Sequence, residues 1–305
     1  MIQKTLIAFG RTLRPHQWAK NIFVFAPVVF SLRFFKFEYL GHSFLAFLLF
    51  SLVAGSIYVL NDCFDREMDR LHPTKCKRPI ASGALGVKTA AIMGSILLAL
   101  TLAAIYEMDV DFFRIALFYV LMNVVYSVFL KKVVILDVMI IAIGFVLRVQ
   151  IGGVINQIEL SPWILIITFL LAIFLALIKR RQELVKVNGL ENNGSASTQE
   201  GGQTRQTLKQ YNLSLLDQLI SITTATTLIS YIVYVVNPDI LHKFHTTKLY
   251  LTVPFVIFGI FRYLYLTYVK GEGENPAEVL FSDLSFTVNG ILWVVVFIIV
   301  ILYVN

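Results

Sequence analysis

Nine apolar stretches dominate the sequence, and each is long enough, or nearly so, to form the helix of about 20 residues that a hydrocarbon core requires. They cover approximately residues 21–35, 40–60, 86–106, 112–130, 135–155, 161–179, 213–236, 249–269 and 286–304. Hydrophobic residues make up 57% of the 305-residue chain and charged residues only 15%, against about 25% in soluble proteins. The sequence therefore predicts an all-α integral membrane protein with nine transmembrane helices, and residues 1–305 form a single domain.

The distribution of basic residues predicts the orientation of the chain in the membrane. Lysine and arginine are retained in cytoplasmic loops, and most of the basic residues fall on one side of the nine stretches, including Arg14, Arg66, Lys131, Arg181 and Lys270. We therefore expect a cytoplasmic N-terminus and an outside C-terminus. The bilayer is expected to be the inner (plasma) membrane of a bacterium.

Several other classes of protein are excluded. The net charge of +7 arises from basic residues spread over short loops without interleaved aromatic platforms, so no nucleic-acid partner is expected. Cys63 and Cys76 are the only cysteines, which excludes a disulfide scaffold. Residues 188–206 are rich in Gly, Asn, Ser, Thr and Gln, and this composition predicts a flexible cytoplasmic insert.

An acidic stripe follows the second apolar stretch. In a continued helix, Asn61, Asp65 and Asp69 lie on one face, with Tyr58 one turn earlier and Asp62 beside them. Carboxylates at this spacing repel one another unless a cation neutralises them. Mg²⁺ prefers such oxygen ligands and shares its coordination sphere with substrate phosphates, so the stripe predicts a magnesium site.

The loop after this stripe is basic. Lys75 and Arg78 could clamp a phosphate or diphosphate, and acids for a metal beside bases for phosphate indicate a metal-diphosphate substrate. The alternative is a solvated interfacial loop with ordinary surface ion pairs. Against it, Asn61 and Asp62 directly follow about twenty apolar residues, where an unsatisfied charge is costly.

These motifs resemble the UbiA superfamily of intramembrane prenyltransferases, through Asn61-Asp62-x-x-Asp65-x-x-x-Asp69-Arg70 and Lys75-x-x-Arg78-Pro79-Ile80. Further motifs are similar to the polyprenyl-phosphate phosphoribosyltransferases, among them the decaprenyl-phosphate enzymes. They are Arg14-Pro15-x-Gln17-Trp18-x-Lys20-Asn21, Tyr126 with Leu130-Lys131, Arg148 with Gly152-Gly153, Lys179-Arg180-x-x-Glu183-Leu184, Arg262-Tyr263 and Gly273-Glu274-x-Pro276-x-Glu278. The resemblance implies a helical bundle around a central cavity that opens to the cytoplasm.

The resemblance also implies a reaction. The 5-phosphoribosyl group of phosphoribosyl diphosphate is transferred to a polyprenyl phosphate with release of pyrophosphate, which supplies a lipid-linked sugar donor for cell-wall biogenesis. A typical superfamily member carries a second acidic cluster after its sixth span, whereas Lys179-Arg180-Arg181 stands here. This inverted charge suits a donor with a diphosphate and a further phosphate.

Roles can be assigned to individual residues on this basis. Asn61 and Asp65 are expected to bind Mg²⁺, with Asp62 and Asp69 as further or more distant ligands. The predicted donor-binding residues are Lys20, Tyr58, Lys75, Arg78, Lys179 and Arg180. Lys179 and Arg180 could alternatively have no role in binding and only fix the orientation of the helix, because basic residues are retained on the cytoplasmic side.

Lys131 and Arg148 are the predicted ligands of the acceptor phosphate. Arg148 lies within the fifth stretch, where an ionisable side chain is a functional hypothesis by default; the alternative is a structural network with other helices. Two other functions stay open at this point: a prenyltransferase that uses a polyprenyl diphosphate and an aromatic acceptor, and a cation transporter. The sequence also leaves open whether the chain forms a homo-oligomer.

Overall fold

The computed structural model describes residues 2–31, 33–72, 74–192, 208–272, 279 and 282–303. Within those ranges the regular structure is entirely helical. The chain forms two compact units, of which the first extends to Leu160 and the second begins at Ser161. The predicted all-α architecture is therefore confirmed.

Seven α-helices are described in the first unit. They are α1 (Ile2–Thr12), α2 (Ala26–Phe30), α3 (Phe37–Phe64), α4 (Arg66–Arg70), α5 (Val87–Met108), α6 (Val110–Val128) and α7 (Leu136–Ile155). A 3₁₀ segment, Pro15–Phe25, precedes α2, and short 3₁₀ turns lie at Arg33–Phe35, Lys75–Lys77 and Leu130–Lys132.

Five α-helices are described in the second unit. They are α8 (Pro162–Asn192), α9 (Leu213–Val236), α10 (Pro238–Phe244), α11 (Val253–Tyr268) and α12 (Leu284–Tyr303). A central hydrogen-bond chain joins three of its elements: the Tyr231 and Thr252 hydroxyls lie 2.7 Å apart, and the Trp293 indole donates to Tyr231 at 3.0 Å. At the start of α12, Asp283 accepts two bonds from Arg262 and one from the Phe286 amide.

Eight helices of the described residues are long and apolar enough to cross a membrane. They correspond to the second to ninth predicted stretches. The first predicted span, residues 21–35, differs, because the chain there forms the end of the 3₁₀ segment and the five-residue α2 rather than one long helix. Of the predicted insert, residues 188–192 continue α8 and residues 193–206 lie outside the described residues.

Small residues allow the helices of the first unit to pack closely. The buried face of α3 includes Ser43, Ala46, Ser51, Ala54, Gly55 and Ser56. Helix association within a bilayer depends on close packing rather than on transfer from water. Phe50, Phe112 and Ile151 fill the centre of the unit, where none of them has exposed surface.

The N-terminal helix α1 packs against the first unit and leads to Arg14. Ala8 is buried in a small cluster with Val59 and Ile80, whereas Leu6 and Ile7 are more than half exposed. Arg14 then adopts a left-handed conformation, with φ 52° and ψ 62°, and turns the chain into the 3₁₀ segment. This turn sets the direction from which Arg14 approaches α3.

The closest helix approach in the first unit is at Gly152 of α7. A Cβ atom there would lie 1.9 Å from the carbonyl oxygen of Val24 and 3.0 Å from a ring carbon of Pro27. Real Cβ atoms do not approach backbone this closely, so a side chain at position 152 would have to displace the 3₁₀ segment.

We predict that Gly152→Ala lowers the apparent melting temperature in detergent, because overpacking against backbone costs about 1–3 kcal/mol or more. Gly41→Ala in α3 is the matched control, since a Cβ at position 41 meets no atom within 4 Å. The measurement is the apparent melting temperature, obtained by heating samples and then recording the folded fraction by size-exclusion chromatography. Equal melting temperatures for the two variants would contradict the described packing.

Candidate functional site

The predicted acidic stripe lies where α3 ends. The helix stops at Phe64, and α4 begins at Arg66. The backbone nevertheless keeps helical spacing through the junction, because the Asp65 amide donates to Asn61 and the Asp69 amide donates to Asp65, each at 2.8 Å. Consecutive turns therefore present Asn61, Asp65 and Asp69 at the interval that the sequence indicates.

Two carboxylates of the stripe are buried and paired with arginines. Asp62 and Asp69 are only 3% and 5% exposed. Arg78 donates from one nitrogen to Asp62 at 3.1 Å and to Asp69 at 2.5 Å. Arg14 also donates to Asp62, and its guanidinium lies 4.9 Å from the centre of the Tyr58 ring. Loss of one partner from such a buried pair costs about 3–5 kcal/mol.

The other two oxygen-bearing side chains of the stripe, Asn61 and Asp65, face the end of α6. The Ser127 hydroxyl donates to Asn61 Oδ1 at 2.9 Å, and Lys131 Nζ donates to Asp65 Oδ1 at 3.0 Å. The Asp65 and Lys131 side chains are 44% and 35% exposed. This side of the stripe is therefore open to a ligand, whereas the Asp62 side is closed.

The cluster is close to electroneutral. Its three carboxylates, Asp62, Asp65 and Asp69, contact three cations, Arg14, Arg78 and Lys131, and three negative charges with three positive charges sum to zero. In the folded chain, cationic side chains therefore neutralise the carboxylates, a role that the sequence predicts for a metal ion. A metal ion that enters this cluster would need to bring its own counter-anion.

The donor chemistry of Asn61 and Asp65 fits a hard divalent cation. Among the described residues, Oδ2 of Asp65 receives no hydrogen bond, and no three His, Cys, Asp or Glu side chains group closely enough to hold a metal by themselves. Mg²⁺ is typically bound by one or two carboxylates, water and substrate phosphates rather than by a complete protein cage. Asp62 and Asp69 fit less well, because guanidinium groups already occupy them.

The basic loop after α4 is folded against the stripe. Lys75 begins a 3₁₀ turn and is half-buried, and Arg70 Nε donates to the Ala81 carbonyl at 3.1 Å. Partial burial, reinforced by the positive charge of Lys75, lowers the pKa of His72 below its ordinary value. The His72 Nδ1 atom accepts from the Lys75 amide at 3.4 Å, so this histidine helps to hold the start of the 3₁₀ turn in place.

The remaining predicted donor contacts lie in other elements. Lys20 is exposed on the 3₁₀ segment of the first unit. In the second unit, Lys179 of α8 is exposed, whereas Arg180 is 2% exposed and donates to Glu183 at 2.9 Å. The predicted donor-binding roles of Lys179 and Arg180 therefore stay predictions.

Arg148 is at the centre of a buried polar network in the first unit. Its guanidinium donates to Asn21 Oδ1 at 2.8 Å, to the Gly144 carbonyl at 2.5 Å and to the Tyr119 hydroxyl at 3.2 Å. It also lies 5.2 Å from the ring centres of Phe50 and Tyr119. The side chain is 5% exposed. These contacts favour the structural alternative for Arg148 over the predicted role at the acceptor phosphate.

Three residues of the site region were missing from the predicted set. Arg14 was identified only as a cytoplasmic basic residue and as part of a motif of the resemblance, Asn21 only as part of that motif, and Ser127 gave no signal. Their contacts are long-range: Arg14 meets Asp62, Ser127 meets Asn61, and the Asn21 amide donates to Ser51 at 2.8 Å. Local sequence patterns do not reveal the pairing of Arg14 with Asp62, because the two residues are 48 positions apart.

Comparison with known proteins identifies the class. Residues 22–290 match the model of the UbiA prenyltransferase family. Because this match covers most of the chain, the protein belongs to that family, and it is an integral membrane protein of the transferase class.

Two relatives are decaprenyl-phosphate phosphoribosyltransferases. The enzyme of Corynebacterium glutamicum is 31% identical over 291 residues, which cover 93% of this chain and 83% of that protein. The enzyme of Mycolicibacterium smegmatis is 27% identical over 295 residues, which cover 93% of this chain and 89% of that protein.

The fold is also similar to that of a solved UbiA homologue. The structure from Archaeoglobus fulgidus bound to GPP and Mg²⁺ has a TM-score of 0.64 and covers 96% of this chain and 99% of that chain. At 20% sequence identity, this likeness establishes the fold.

We predict that Arg148→Met destabilises the first unit, because each buried oxygen left without its donor costs about 1–3 kcal/mol. The expected result is a lower apparent melting temperature in detergent. Arg114→Met is the matched control, since Arg114 pairs with Asp111 on the surface and its side chain is 72% exposed. An unchanged melting temperature together with a raised KM for the lipid acceptor would instead support the acceptor-phosphate role.

Proposed function

We propose that this protein transfers the 5-phosphoribosyl group of phosphoribosyl diphosphate to a polyprenyl phosphate and releases pyrophosphate. The bond from ribose C1 to the leaving diphosphate breaks, and a bond from C1 to a phosphate oxygen of the lipid forms. The nucleophile is already an anion, so the reaction needs orientation and charge stabilisation rather than a strong general base.

The observation that carries the proposal is the electroneutral cluster at the end of α3. Asp62 and Asp69 are paired with arginines, whereas the side chains of Asp65 and Lys131 are partly exposed beside Asn61. A cation alone would leave this cluster with excess positive charge, and a diphosphate alone would leave it with excess negative charge. A magnesium diphosphate satisfies both conditions, which supports a diphosphate donor that enters together with its metal.

Asn61 and Asp65 would hold Mg²⁺, which neutralises the leaving diphosphate when it is bound. Arg14 and Arg78 keep Asp62 and Asp69 satisfied and fix the end of α3. Lys131 would orient the phosphate of the lipid acceptor beside Asp65.

Tyr58, Lys20 and Lys75 remain proposed donor contacts, as do Lys179 and Arg180. Arg148 is kept out of the proposed acceptor site, because its guanidinium is engaged within the protein.

The relatives favour phosphoribosyl transfer over prenyl transfer. Both decaprenyl-phosphate phosphoribosyltransferases match over 93% of this chain. The run Lys179-Arg180-Arg181 also supplies basic residues where prenyl transferases of the superfamily are expected to carry acids. Prenyl transfer stays the second candidate because the structurally similar A. fulgidus homologue binds GPP. Membership of the transferase family gives a cation transporter no support.

The proposed topology has nine crossings, a cytoplasmic N-terminus and a site that opens to the cytoplasmic side of a bacterial inner membrane. The first crossing would begin after Lys20 and would be formed by the end of the 3₁₀ segment together with α2.

The test uses purified full-length protein with labelled phosphoribosyl diphosphate, a polyprenyl phosphate and Mg²⁺. We expect labelled lipid and pyrophosphate to form in equal amounts. Asp65→Asn should lower turnover about 100–1,000-fold, as expected for the loss of one electrostatic stabiliser. Glu67→Gln is the matched control, because Glu67 is 74% exposed and pairs only with Arg66 and Arg70 among the described residues.

A prenyl diphosphate with 4-hydroxybenzoate forms the competing substrate pair. Turnover of this pair, without turnover of the phosphoribosyl donor, would contradict the proposal in favour of the second candidate. Normal turnover in Asp65→Asn, with a melting temperature equal to that of the unmodified protein, would reject the assignment of Asp65.

A further inference from the structure

A groove of about 660 Å³ runs between α9 and α11 in the second unit, and none of the residues of the acidic stripe lines it. Its α9 wall follows one helix face from Asp217 through Ser221 and Ala225 to Leu228, and its α11 wall includes Phe261 and Tyr268. Both walls belong to helices that are long and apolar enough to cross the bilayer. The groove therefore opens on a surface that acyl chains can reach.

The body of the groove is mainly apolar. Thr224 also lines it, and within the described part of the chain the buried Thr224 hydroxyl has no hydrogen-bond partner, whereas other hydroxyl groups along α9 are bonded to their own helix. Ser221 donates to the Asp217 carbonyl at 2.8 Å, and the neighbouring Thr223 donates to the Leu219 carbonyl at 2.6 Å. Eleven residues separate Asp217 from Leu228, a rise of about 16 Å along the helix. This length is about half of a 30 Å hydrocarbon core, which matches the depth of one leaflet.

One end of the groove is charged. Asp217 Oδ1 accepts from Arg181 Nε at 2.6 Å and from the Tyr268 hydroxyl at 2.7 Å, and the Arg181 guanidinium lies 3.9 Å from the centre of the Tyr268 ring. These residues lie near the start of α9 and at the end of α11, so the charged end faces the membrane boundary. Asp217 and Tyr268 are not among the residues proposed to contact the donor or the acceptor.

The charged end of the groove can bind a ligand that carries both a positive and a negative group. The Asp217 side chain is 40% exposed, and within the described part of the chain its Oδ2 atom accepts no hydrogen bond. Arg181 uses Nε for Asp217, and its side chain is 16% exposed, so the exposed edge of the guanidinium can face a phosphate. A carboxylate beside a guanidinium complements a headgroup that carries an ammonium beside a phosphate.

We propose that this groove binds one membrane glycerophospholipid with a phosphoethanolamine headgroup. One acyl chain lies along α9 between Ser221 and Leu228. The headgroup phosphate is bound by Arg181, and the headgroup ammonium is bound by Asp217, whose other oxygen keeps its hydrogen bond from Tyr268. An anionic headgroup without an ammonium fits less well, because Asp217 repels it. A polyprenyl phosphate is disfavoured for the same reason.

Native mass spectrometry of the full chain, delipidated and titrated with phosphatidylethanolamine or phosphatidylglycerol, tests the proposal. We expect one phosphatidylethanolamine to bind about tenfold more tightly than phosphatidylglycerol, which corresponds to about 1.4 kcal/mol. Asp217→Asn removes the ammonium partner and should bring the two affinities within about twofold, with phosphate binding retained.

Ala225→Phe should abolish binding of this lipid, because Ala225 is exposed on the floor of the groove. Ile222→Phe is the matched control on the same helix, since Ile222 is 63% exposed and does not line the groove. Equal lipid binding by the two phenylalanine variants would overturn the proposal, as would a preference for phosphatidylethanolamine that persists in Asp217→Asn. A dimer in the same spectra that Ala225→Phe dissociates would assign the groove to a second copy of the chain and overturn it too.

Discussion

Charge compensation at the end of α3 is the constraint on which the rest of the first unit depends. Asp62 and Asp69 follow a long apolar helix and are buried, a position where an unpaired carboxylate would be costly. Arg14 and Arg78 reach them from opposite directions along the sequence. The turn after α1 and the loop after α4 therefore both stabilise the end of α3, which joins the binding site to the fold.

The same constraint separates two kinds of oxygen donor within one motif. The buried carboxylates are held by guanidinium groups and maintain the structure. Asn61 and Asp65, by contrast, face Ser127 and the flexible amine of Lys131, and they stay accessible. A metal with its substrate can exchange with a lysine contact at a half-exposed carboxylate far more cheaply than it can displace buried arginines. This difference in burial explains why one stripe can hold both structural and substrate-binding groups.

The sequence predicts most of the fold because apolar length and charge bias are local properties. It predicts the stripe for the same reason, since helical spacing relates Asn61, Asp65 and Asp69 directly. It does not predict the partners of that stripe, because contacts such as those of Arg14 and Ser127 join residues far apart in the chain. Arg148 illustrates the limit: an arginine in an apolar helix indicates either function or structure, and its partner Asn21 is 127 positions away. The division of the first span, which is short and contains Pro27, into a 3₁₀ segment and α2 is not predicted, because apolar composition does not distinguish α from 3₁₀ geometry.

Binding of Mn²⁺, an octahedral oxygen-seeking substitute for Mg²⁺, tests the central claim of an electroneutral cluster most directly. Electron paramagnetic resonance can count free Mn²⁺ in titrations of the purified protein with and without diphosphate. The account predicts weak binding of Mn²⁺ alone, at least tenfold tighter binding when diphosphate is present, and loss of this enhancement in Asp65→Asn. Equally tight binding of Mn²⁺ without diphosphate, or an enhancement that survives in Asp65→Asn, would contradict it.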